Sequence, residues 1–388
     1  MAENVPPSVV VIGSGLAGFG VLREIRRLSP DAKLTLITVE EGHFYSKPAL
    51  STALAKGKTA GTLVTTPIDK IATQLKLDAR VGREAEAIDR AGKAMLTTGG
   101  PVHYDKLILA TGASPFRPQI GGEAAHRAIA VNRLSDYARF RDELPDGATV
   151  LVMGAGLVGT EFANDLISTG YRPIVVDMLP TPLGQFTPPA VGAMVRDALA
   201  AQGVEWRLGR RITAIDYRAS ATGYVATLDD GSQIEADIVL SAVGLRPNVV
   251  LAAEAGLAIG KGILVDDHGR TSDPDIYAIG DCAQYPHGVS AFVTPIMAAA
   301  RAIAASALGT PTAMRFPPLS VQVKTTLLPI NLLPPQDGIS GEWRVLEQDD
   351  DGTKYGFFDG ADLLRGYVLT GNRCEERSQM DAKVGVAE

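Results

Sequence analysis

Two short apolar runs stand out along the chain, and each is followed by closely spaced glycines and then by a stretch with helical spacing. The first run, residues 9–12, leads into the glycines of 13–18, and the second, residues 149–153, leads into those of 154–159. An uninterrupted apolar run of this length is typical of a strand buried on both faces of a parallel sheet. The pattern therefore predicts two βαβ units, with helices over 19–28 and 160–169.

The parts downstream of each glycine cluster also repeat. Residues 105–112, with Pro115 beyond, match residues 237–244, with Pro247 beyond. A meander of short strands precedes each match. One begins near 87–89 and turns at Gly99–Gly100, and the other begins near 214–216 and turns at Asp230–Gly231, a strong hairpin signal. Each half is therefore predicted to be a doubly wound unit with an antiparallel β insert.

A third apolar run and the tail complete the predicted organisation. Residues 275–281 form a strand pattern ending in Gly-Asp, and they follow the second duplicate. This order predicts a first domain interrupted by the second. From about Met314 prolines become frequent, and short strand patterns follow at 320–325, 341–347, 355–359 and 364–370. The predicted fold class is α/β, with two Rossmann-like domains (1–116 with 247–313, and 117–246) and a small α+β domain (314–388).

Composition and charge exclude several classes of function. The 388 residues carry 37 Lys and Arg against 44 Asp and Glu, a net charge of −7, which argues against nucleic-acid binding. Two cysteines cannot support a disulfide framework, which suits a reducing cytoplasm. The start of the chain lacks a signal-peptide pattern, and Pro295 and Arg301 interrupt the most apolar region, so a core helix is expected there rather than membrane insertion. No metal site is expected, because the five histidines lack metal-ligand spacing: His43, His103, His126, His268 and His287.

The glycine clusters have the chemistry of a pyrophosphate site. In such a cluster the first glycine permits a tight turn, the second lets the backbone approach the ligand, and the third lets the helix pack on the strand. The helix N-terminus then faces the phosphates. One copy could be a glycine-rich turn of an unrelated protein, but two copies in the same context predict two dinucleotide sites.

The two sites differ in the acidic residue that follows the glycines. A dinucleotide site expects an Asp or Glu about 20 residues after the last glycine. In the second unit Asp177 ends the next strand and could accept hydrogen bonds from a ribose 2′-hydroxyl, and no Lys or Arg follows before Gly192. This favours NADH over NADPH, unless Asp177 only faces solvent. In the first unit the strand ends at Thr38 and Glu40 comes slightly late, so the ribose contact there stays open.

Gly280–Asp281 after a buried strand resembles the second signature of flavoproteins with two dinucleotide sites. With both glycine clusters and the paired Gly112 and Gly244 motifs, about residues 8–310 resemble the pyridine nucleotide–disulfide oxidoreductase superfamily. The resemblance implies FAD at the first site and NADH at the second. The implied FAD residues are Gly13, Gly15, Leu16, Ala17, Gly18, Glu40, Lys47, Pro48, Ala110, Thr111, Gly112, Gly280, Asp281, Ile296 and Lys324. The implied NAD residues are Gly154, Gly156, Leu157, Val158, Gly159, Glu161, Asp177, Val243 and Gly244.

The positions of the cysteines narrow the reaction. The disulfide reductases of the superfamily carry a cysteine pair near the flavin, whereas residues 42–51 here contain none. Cys282 follows Asp281 and is expected to be a buried packing residue, and Cys374 is isolated in the tail. Electrons are therefore expected to leave directly from the flavin. Because a flavin can accept a hydride and release electrons singly, this points to a reductase for a one-electron carrier.

Four segments, 45–51, 161–166, 241–247 and 323–325, resemble the bacterial rubredoxin reductases, which are similar to ferredoxin reductases of oxygenase systems. The resemblance implies catalytic roles for three residues. Lys47 would lie near flavin N5, Glu161 would face Lys47 and the nicotinamide, and Lys324 would lie near the N1–C2 carbonyl end, toward which a helix beginning at 294–296 would point. Residue type alone leaves both lysines open as solvated side chains. Leu157 departs from the Tyr or Phe that related ferredoxin reductases often place there.

These observations together predict an FAD-containing NADH:rubredoxin oxidoreductase of the cytoplasm, with a monomer favoured. A ferredoxin, or the rubredoxin part of a flavorubredoxin, is the alternative acceptor. A rival from another class is a redox-sensing FAD protein related to apoptosis-inducing factor. Fast turnover of NADH with a carrier would favour the enzyme, and a long-lived complex of reduced flavin with NAD would favour the sensor.

Overall fold

The computed structural model describes residues 7–219, 222–286, 288–289, 293–316, 320–336 and 338–386. The chain divides into two compact units. Unit 1 comprises residues 1–47, 64–114 and 245–319, and unit 2 comprises residues 48–63, 115–244 and 320–388.

The two βαβ units and their antiparallel inserts follow one another in the order that the apolar pattern predicts. The helices are α1 (Leu16–Leu28), α2 (Ala60–Leu63), α3 (Ile68–Leu75), α4 (Leu134–Glu143), α5 (Leu157–Ile167), α6 (Pro189–Ala200), α7 (Val250–Glu254), α8 (Val293–Ala307) and α9 (Arg377–Lys383). The strands are β1 (Ser8–Ile12), β2 (Lys33–Thr38), β3 (Leu77–Val81), β4 (Ala85–Asp89), β5 (Ala94–Thr97), β6 (Val102–His103), β7 (Lys106–Leu109), β8 (Ala113–Pro115), β9 (Thr149–Met153), β10 (Arg172–Asp177), β11 (Glu205–Leu208), β12 (Ile212–Tyr217), β13 (Tyr224–Leu228), β14 (Gln233–Ala236), β15 (Ile238–Ser241), β16 (Leu245–Pro247), β17 (Ile263–Leu264), β18 (Ile276–Ala278), β19 (Ala283–Tyr285), β20 (Gly288–Val289), β21 (Val321–Val323), β22 (Ile330–Leu333), β23 (Gly341–Asp349), β24 (Gly352–Asp359) and β25 (Leu364–Thr370).

Unit 1 is built on a parallel sheet with the strand order β18-β7-β1-β2-β3. Strand β18 pairs with β7 in parallel, so the late run at 275–281 does join the sheet of the first glycine cluster, as predicted. Helices α1 and α8 pack against each other in this unit. Phe19 and Leu22 of α1 and Ile303 of α8 are fully buried, and burying a side chain of this size contributes roughly 1.5–3 kcal/mol.

The apolar region of 291–308 is a core helix over its described part. Ala299, Ala300 and Ile303 of α8 are inaccessible to solvent within the core of unit 1. No helix among the described residues is long and apolar enough to cross a membrane.

Unit 2 repeats the sheet and adds the tail. Its parallel sheet has the order β11-β10-β9-β15, and β12-β13-β14 form the antiparallel insert that turns at Asp230–Gly231. The insert of unit 1, β4-β5-β6, turns at Gly99–Gly100, so both predicted hairpins are confirmed.

The tail forms an antiparallel sheet with the order β21-β22-β25-β24-β23. Tyr367 and Leu369 of β25 form its core with Leu333 of β22 and Met380 of α9. Strand β22 was not expected from the sequence, because its short apolar run lies between prolines, which interrupt strands. The acidic segment 347–352 turns at residues 350–351, between β23 and β24.

Candidate functional site

The first glycine cluster forms a cradle between β1 and α1. The amide of Gly13 donates to the Ile37 carbonyl (2.9 Å), which ties the turn to β2. Gly13 has a φ of +109°, and a Cβ there would collide with the carbonyl oxygen of Ala110. A Cβ on Gly18 would likewise collide with the carbonyl oxygen of Gly13. Only glycine fits at either position.

Gly15 differs from the other two glycines of the cluster. Within the described part of the chain, no heavy atom beyond its neighbours lies within 4 Å of a Cβ built on it. Internal packing therefore does not require glycine at this position, and the open face leaves room for close approach from outside. Gly15 also precedes the first residue of α1, so the free amides of the helix N-terminus face the same space.

The next predicted residues, Ala110, Thr111 and Gly112, follow β7 directly. Ala110 donates its amide to the Ile12 carbonyl (2.8 Å), and this contact places it beside the cradle. Thr111 and Gly112 hold Asn248: the Asn248 amide group donates to the Thr111 carbonyl (2.7 Å), and the Asn248 backbone amide donates to the Gly112 carbonyl (2.9 Å). Asn248 was not identified from the sequence, because 137 positions separate it from Thr111.

Gly280 and Asp281 complete the site of unit 1. A Cβ on Gly280 would lie 2.9 Å from the Cβ of Ala17, so the turn after β18 lies against the first turn of α1. Burial raises the pKa of the Asp281 carboxyl, and the charge of Lys47 opposes that shift. The structure therefore brings Lys47 and Asp281 into electrostatic range. The Gly280 amide donates to the hydroxyl of Tyr285 (3.1 Å), a buried residue that the sequence did not identify.

The positions of the remaining residues predicted to bind FAD say less about a ligand. Ile296 is buried on α8, and Glu40 is half-buried after β2, where its amide donates to the Thr38 hydroxyl (3.2 Å). Thr38 Oγ1 also lies 3.0 Å from Ser14 Oγ of the cradle. Pro48, the first residue of unit 2, is exposed. His287 lies outside the described residues.

The second glycine cluster repeats the cradle between β9 and α5. The Gly154 amide donates to the Val176 carbonyl (2.8 Å), and a Cβ on Gly154 would lie 2.6 Å from the Ala242 carbonyl oxygen. A Cβ on Gly159 would collide with Gly154. For Gly156, as for Gly15, a Cβ would have no heavy atom within 4 Å among the described residues.

The residues around the second cradle include several that the sequence predicted. Leu157 is half-buried and Val158 is exposed on the first turn of α5. Val243 and Gly244 follow β15; Val243 is half-buried and Gly244 is exposed. Gly244 has a φ of +103°, a left-handed backbone conformation that favours glycine.

Asp177 has a structural contact that the sequence did not reveal. Its Oδ2 accepts a hydrogen bond from the amide of Ala155 in the cradle (2.6 Å), and its Oδ1 accepts one from the amide of Leu179 (2.7 Å). The carboxylate therefore fixes the glycine loop and stands at its edge. Each carboxylate oxygen retains a further lone pair with which a ribose hydroxyl could bond.

A buried ionic cluster lies one turn into α5. Glu161 is 3 % exposed, and its Oε2 accepts a hydrogen bond from Ser51 Oγ (2.5 Å) and forms an ion pair with Lys324 Nζ. Its Oε1 accepts a hydrogen bond from the backbone amide of Lys324 (3.0 Å). The Lys324 ammonium also donates to Ser51 Oγ (3.1 Å). We name Ser51, Glu161 and Lys324 the anchor cluster.

The anchor cluster gives two of the predicted catalytic residues definite partners. Lys324 is not simply a solvated lysine, because a buried carboxylate compensates its charge and holds its backbone. Ser51 was missed, since a serine 110 positions before Glu161 gives no sequence signal. The expected approach of Glu161 to Lys47 stays a prediction.

The thiols have no reactive environment. Cys282 is fully buried, its Sγ lies 3.4 Å from the carbonyl oxygens of Leu109 and Ile279, and burial raises the pKa of its thiol. Cys374 is half-buried, and burial raises its pKa as well. Reactive thiols need a lowered pKa, so both cysteines are packing residues, as expected for Cys282.

Comparisons with known proteins match this arrangement. Residues 7–305 match the family model of the pyridine nucleotide-disulphide oxidoreductases. The chain belongs to the pyridine nucleotide-disulphide oxidoreductase family. Residues 313–384 match a second model, the rubredoxin binding C-terminal domain.

Individual members of the family cover nearly the whole chain. A rubredoxin-NAD(+) reductase of Alcanivorax borkumensis is 37% identical over 97% of this chain and 98% of its own. A nitric oxide reductase FlRd-NAD(+) reductase of Aeromonas salmonicida is 36% identical over 93% of this chain and 95% of its own. The crystal structure of the ferredoxin reductase for the CYP199A2 system from Rhodopseudomonas palustris is 25% identical and superposes with a TM-score of 0.89, covering 98% of this chain and 96% of that one.

Family membership implies FAD as the resident group, and unit 1 fits it. The open face of Gly15 and the N-terminus of α1 suit a pyrophosphate. Within the described residues, no hydrogen bond reaches the carboxylate of Asp281, although burial raises its pKa. A half-buried acceptor without a donor among these residues suits a ligand that carries hydroxyl groups. Gly13, Gly15, Gly18, Lys47 and Asp281 would hold the group.

Proposed function

We propose that this chain is an FAD-dependent NADH:rubredoxin oxidoreductase, in which unit 1 holds FAD and the second cradle binds NADH. The observation that carries the proposal is the anchor cluster. Glu161 belongs to α5, which begins at the NADH cradle, and it holds Lys324, which belongs to the part of the chain that matches the rubredoxin binding domain. Residues of the nucleotide site and of the carrier domain therefore share one buried polar cluster.

In domain terms, we assign residues 1–116 and 247–313 to FAD binding, 117–246 to NADH binding and 314–388 to the carrier. When bound, FAD would supply the chemistry that links a two-electron donor to a one-electron acceptor. Asp281 and Lys47 place opposite charges at the FAD site. Lys324 contributes a cation and Glu161 fixes that cation, so the protein can stabilise negative charge that develops nearby. The buried thiols take no part.

The preference for NADH rests on Asp177. A carboxylate at the edge of the second cradle accepts hydrogen bonds from ribose hydroxyls and repels a 2′-phosphate. The backbone amide of Arg210 donates to the Asp177 carbonyl (3.0 Å), and the Arg210 guanidinium pairs with Asp230 (2.8 Å). That pairing leaves Arg210 poorly disposed to attract a 2′-phosphate.

A flavorubredoxin is the second candidate acceptor. The relative from Aeromonas salmonicida carries FlRd in its name, and its identity to this chain is within one per cent of that of the rubredoxin-NAD(+) reductase. Both acceptors would meet the same C-terminal domain. We place the reaction in the cytoplasm, where NADH is available.

A stopped-flow experiment tests the proposed function. The FAD-loaded protein is mixed anaerobically with NADH and then with oxidised rubredoxin, and bleaching of the flavin and of the rubredoxin iron is followed by absorbance. We expect rapid flavin reduction followed by rubredoxin reduction. The Cys282→Ser, Cys374→Ser double variant should keep most of this activity, and a loss of a hundredfold or more, about 2.7 kcal/mol, would instead require a thiol mechanism.

Two further outcomes distinguish the alternatives. Fast reduction of ferredoxin or flavorubredoxin with slow reduction of rubredoxin would reassign the acceptor. Slow reoxidation by every carrier, with a stable charge-transfer band between reduced flavin and NAD, would favour the redox sensor and overturn the proposal.

A further inference from the structure

Helix α5 carries three buried polar side chains, Glu161, Asn164 and Asp165, each of which binds the backbone of a distant segment. Asn164 Oδ1 accepts a hydrogen bond from the amide of Thr326 (3.1 Å), next to the Lys324 backbone that Glu161 holds. The helix therefore fixes the 324–327 loop through two neighbouring side chains, and Asp165 faces a different segment.

Asp165 binds the segment that contains Ser51. Its Oδ2 accepts a hydrogen bond from the amide of Leu54 (2.9 Å), and its Oδ1 accepts one from the amide of Ala55 (3.1 Å). Asp165 is 1 % exposed, and Leu54 is buried. Two successive amides thus depend on one carboxylate; the Leu54 amide is buried, and a buried amide without an acceptor is costly.

Other contacts hold the same segment farther along. Residues 48–63 belong to unit 2, and the carbonyl of Lys58 accepts hydrogen bonds from the hydroxyl of Tyr137 (2.9 Å) and from the guanidinium of Arg141 (2.8 Å). The contacts at Lys58 fix the far end of the segment. Asp165 fixes its middle, three residues after Ser51.

Stability does not explain a carboxylate at this position. Burial raises the pKa of Asp165 from 3.8 to about 6, with a further raise from Glu161 on the same helix; the two amides and Lys56 oppose it. Tyr137 of α4 also lies in electrostatic range. Because the folded protein holds this proton more tightly than an exposed aspartate does, ionisation lowers the free energy of unfolding as the pH rises from about 4 to about 6. The ionised side chain is retained at a cost, which suits a functional role.

We propose that Asp165 is a positioning residue: it fixes the backbone at Leu54 and Ala55 so that Ser51 reaches Glu161 and the anchor cluster keeps one geometry. A protonated carboxyl group, or the carboxamide of an asparagine, carries hydrogen on one of its two terminal heteroatoms. Neither group can therefore accept hydrogen bonds from both backbone amides as the carboxylate does. Loss of either bond would release the middle of the segment. The consequence for turnover rests on the proposed function, but the geometry does not.

The Asp165→Asn variant tests the proposal, and Glu24→Gln on α1 is the matched control. Glu24 occupies the register-equivalent position of the other βαβ unit, where its half-buried carboxylate pairs with the exposed guanidinium groups of Arg27 (2.8 Å) and Arg301 (3.8 Å). For Asp165→Asn at pH 8 we expect at least tenfold lower hydrogen-exchange protection at Leu54 and Ala55, and a rate of flavin reduction by NADH lower by about tenfold to a hundredfold, with the Kd for NADH unchanged. The free energy of unfolding should change little, because the burial cost removed with the charge offsets the amide contact that is lost. Glu24→Gln should change none of these.

A second measurement needs no variant. In the wild-type FAD-loaded protein, exchange protection at Leu54 and Ala55, corrected for the intrinsic rate, should fall as the pH is lowered from 7.5 to 5, and in Asp165→Asn it should not depend on pH. Equal protection in the wild type at both pH values would overturn the proposal, even if the variant failed to fold. So would an unchanged rate of flavin reduction in a folded variant. Neither measurement uses rubredoxin, so failure of the acceptor assignment would leave this result standing.

Discussion

The two βαβ units have nearly the same cradle, yet the helices that leave the cradles are built differently. In both units the first glycine donates to the second strand, the third glycine packs under the first, and the middle glycine faces open space. Ile12 pairs with Ile37 in the same way as Met153 pairs with Val176. The duplication has therefore preserved the part of each unit that suits a pyrophosphate.

Helices α1 and α5 differ in the residue that follows the third glycine by two positions. Counting from the third glycine, Gly20 of α1 corresponds to Glu161 of α5. A Cβ on Gly20 would lie 3.5 Å from Ala300, so α1 is a packing helix that lies close to α8. At the corresponding place α5 carries the buried carboxylate of the anchor cluster. The cradle is thus common to both units, whereas a buried carboxylate at this helix position is present in α5 and absent from α1.

The largest expected effect on nucleotide binding comes from alanine at the middle glycine of each cradle. Gly156→Ala should fold normally, because a Cβ there has open space, but its methyl group would occupy the approach to the NADH pyrophosphate. We expect a KM for NADH raised by about tenfold to a hundredfold, equivalent to roughly 1.4–2.8 kcal/mol, with FAD retained. Gly15→Ala should instead lower the FAD content. Flavin absorbance and NADH titration measure both, and loss of FAD from Gly156→Ala would reverse the assignment of the units.

An effect of similar size probes the divergent helices through the flavin midpoint potential. On the proposed assignment of Lys324 to the flavin site, removing its cation should make the flavin harder to reduce, because a charge-assisted contact stabilises negative charge by roughly 1.5–3 kcal/mol. Since about 1.4 kcal/mol corresponds to ~30 mV for a two-electron couple, Lys324→Ala should lower the midpoint potential by about 30–60 mV.

The sign of the shift should reverse when the other partner is changed. Glu161→Gln removes the charge that compensates Lys324 and should raise the potential. Gly20→Ala is the control from α1, and it should leave the potential unchanged, because its Cβ makes only an ordinary contact. Potentiometric titration of the three variants decides the matter. Equal potentials in Lys324→Ala and the wild type would show that the anchor cluster does not act on the flavin.

The two cradles are alike because the same local constraint acts on their glycines, and that constraint also made them predictable from the sequence. Glycine at a fixed spacing after an apolar run reports a local constraint, and the collisions expected for Gly18 and Gly159 show that constraint directly. The parallel strand at 276–278 and both hairpin turns were predictable because burial pattern and turn residues are also local.

The anchor cluster was only partly predictable. Glu161 and Lys324 were singled out through family resemblance, but their direct contact joins residues 163 positions apart. Ser51 and Asp165 lie inside two of the segments that resemble the rubredoxin reductases, and Asn248 follows a third, but the resemblance gave none of them a role. Their partners are distant groups that the fold brings to them, and a single polar residue with distant partners leaves no periodic or compositional signal.

The smallest effect concerns the strand ends, where Asp177 in unit 2 takes the register position of Thr38 in unit 1. Both side chains brace their cradles, Asp177 through the Ala155 amide (2.6 Å) and Thr38 through the Ser14 hydroxyl (3.0 Å), but only Asp177 carries charge. Asp177→Ala should therefore narrow the preference for NADH over NADPH by about tenfold, roughly 1.4 kcal/mol, whereas Thr38→Val should leave it unchanged. The ratio of kcat/KM for flavin reduction by the two nucleotides measures this. If the wild-type protein reduces its flavin equally fast with NADPH, the charge of Asp177 has no part in selectivity, and the two strand ends differ only in how they brace the glycine loops.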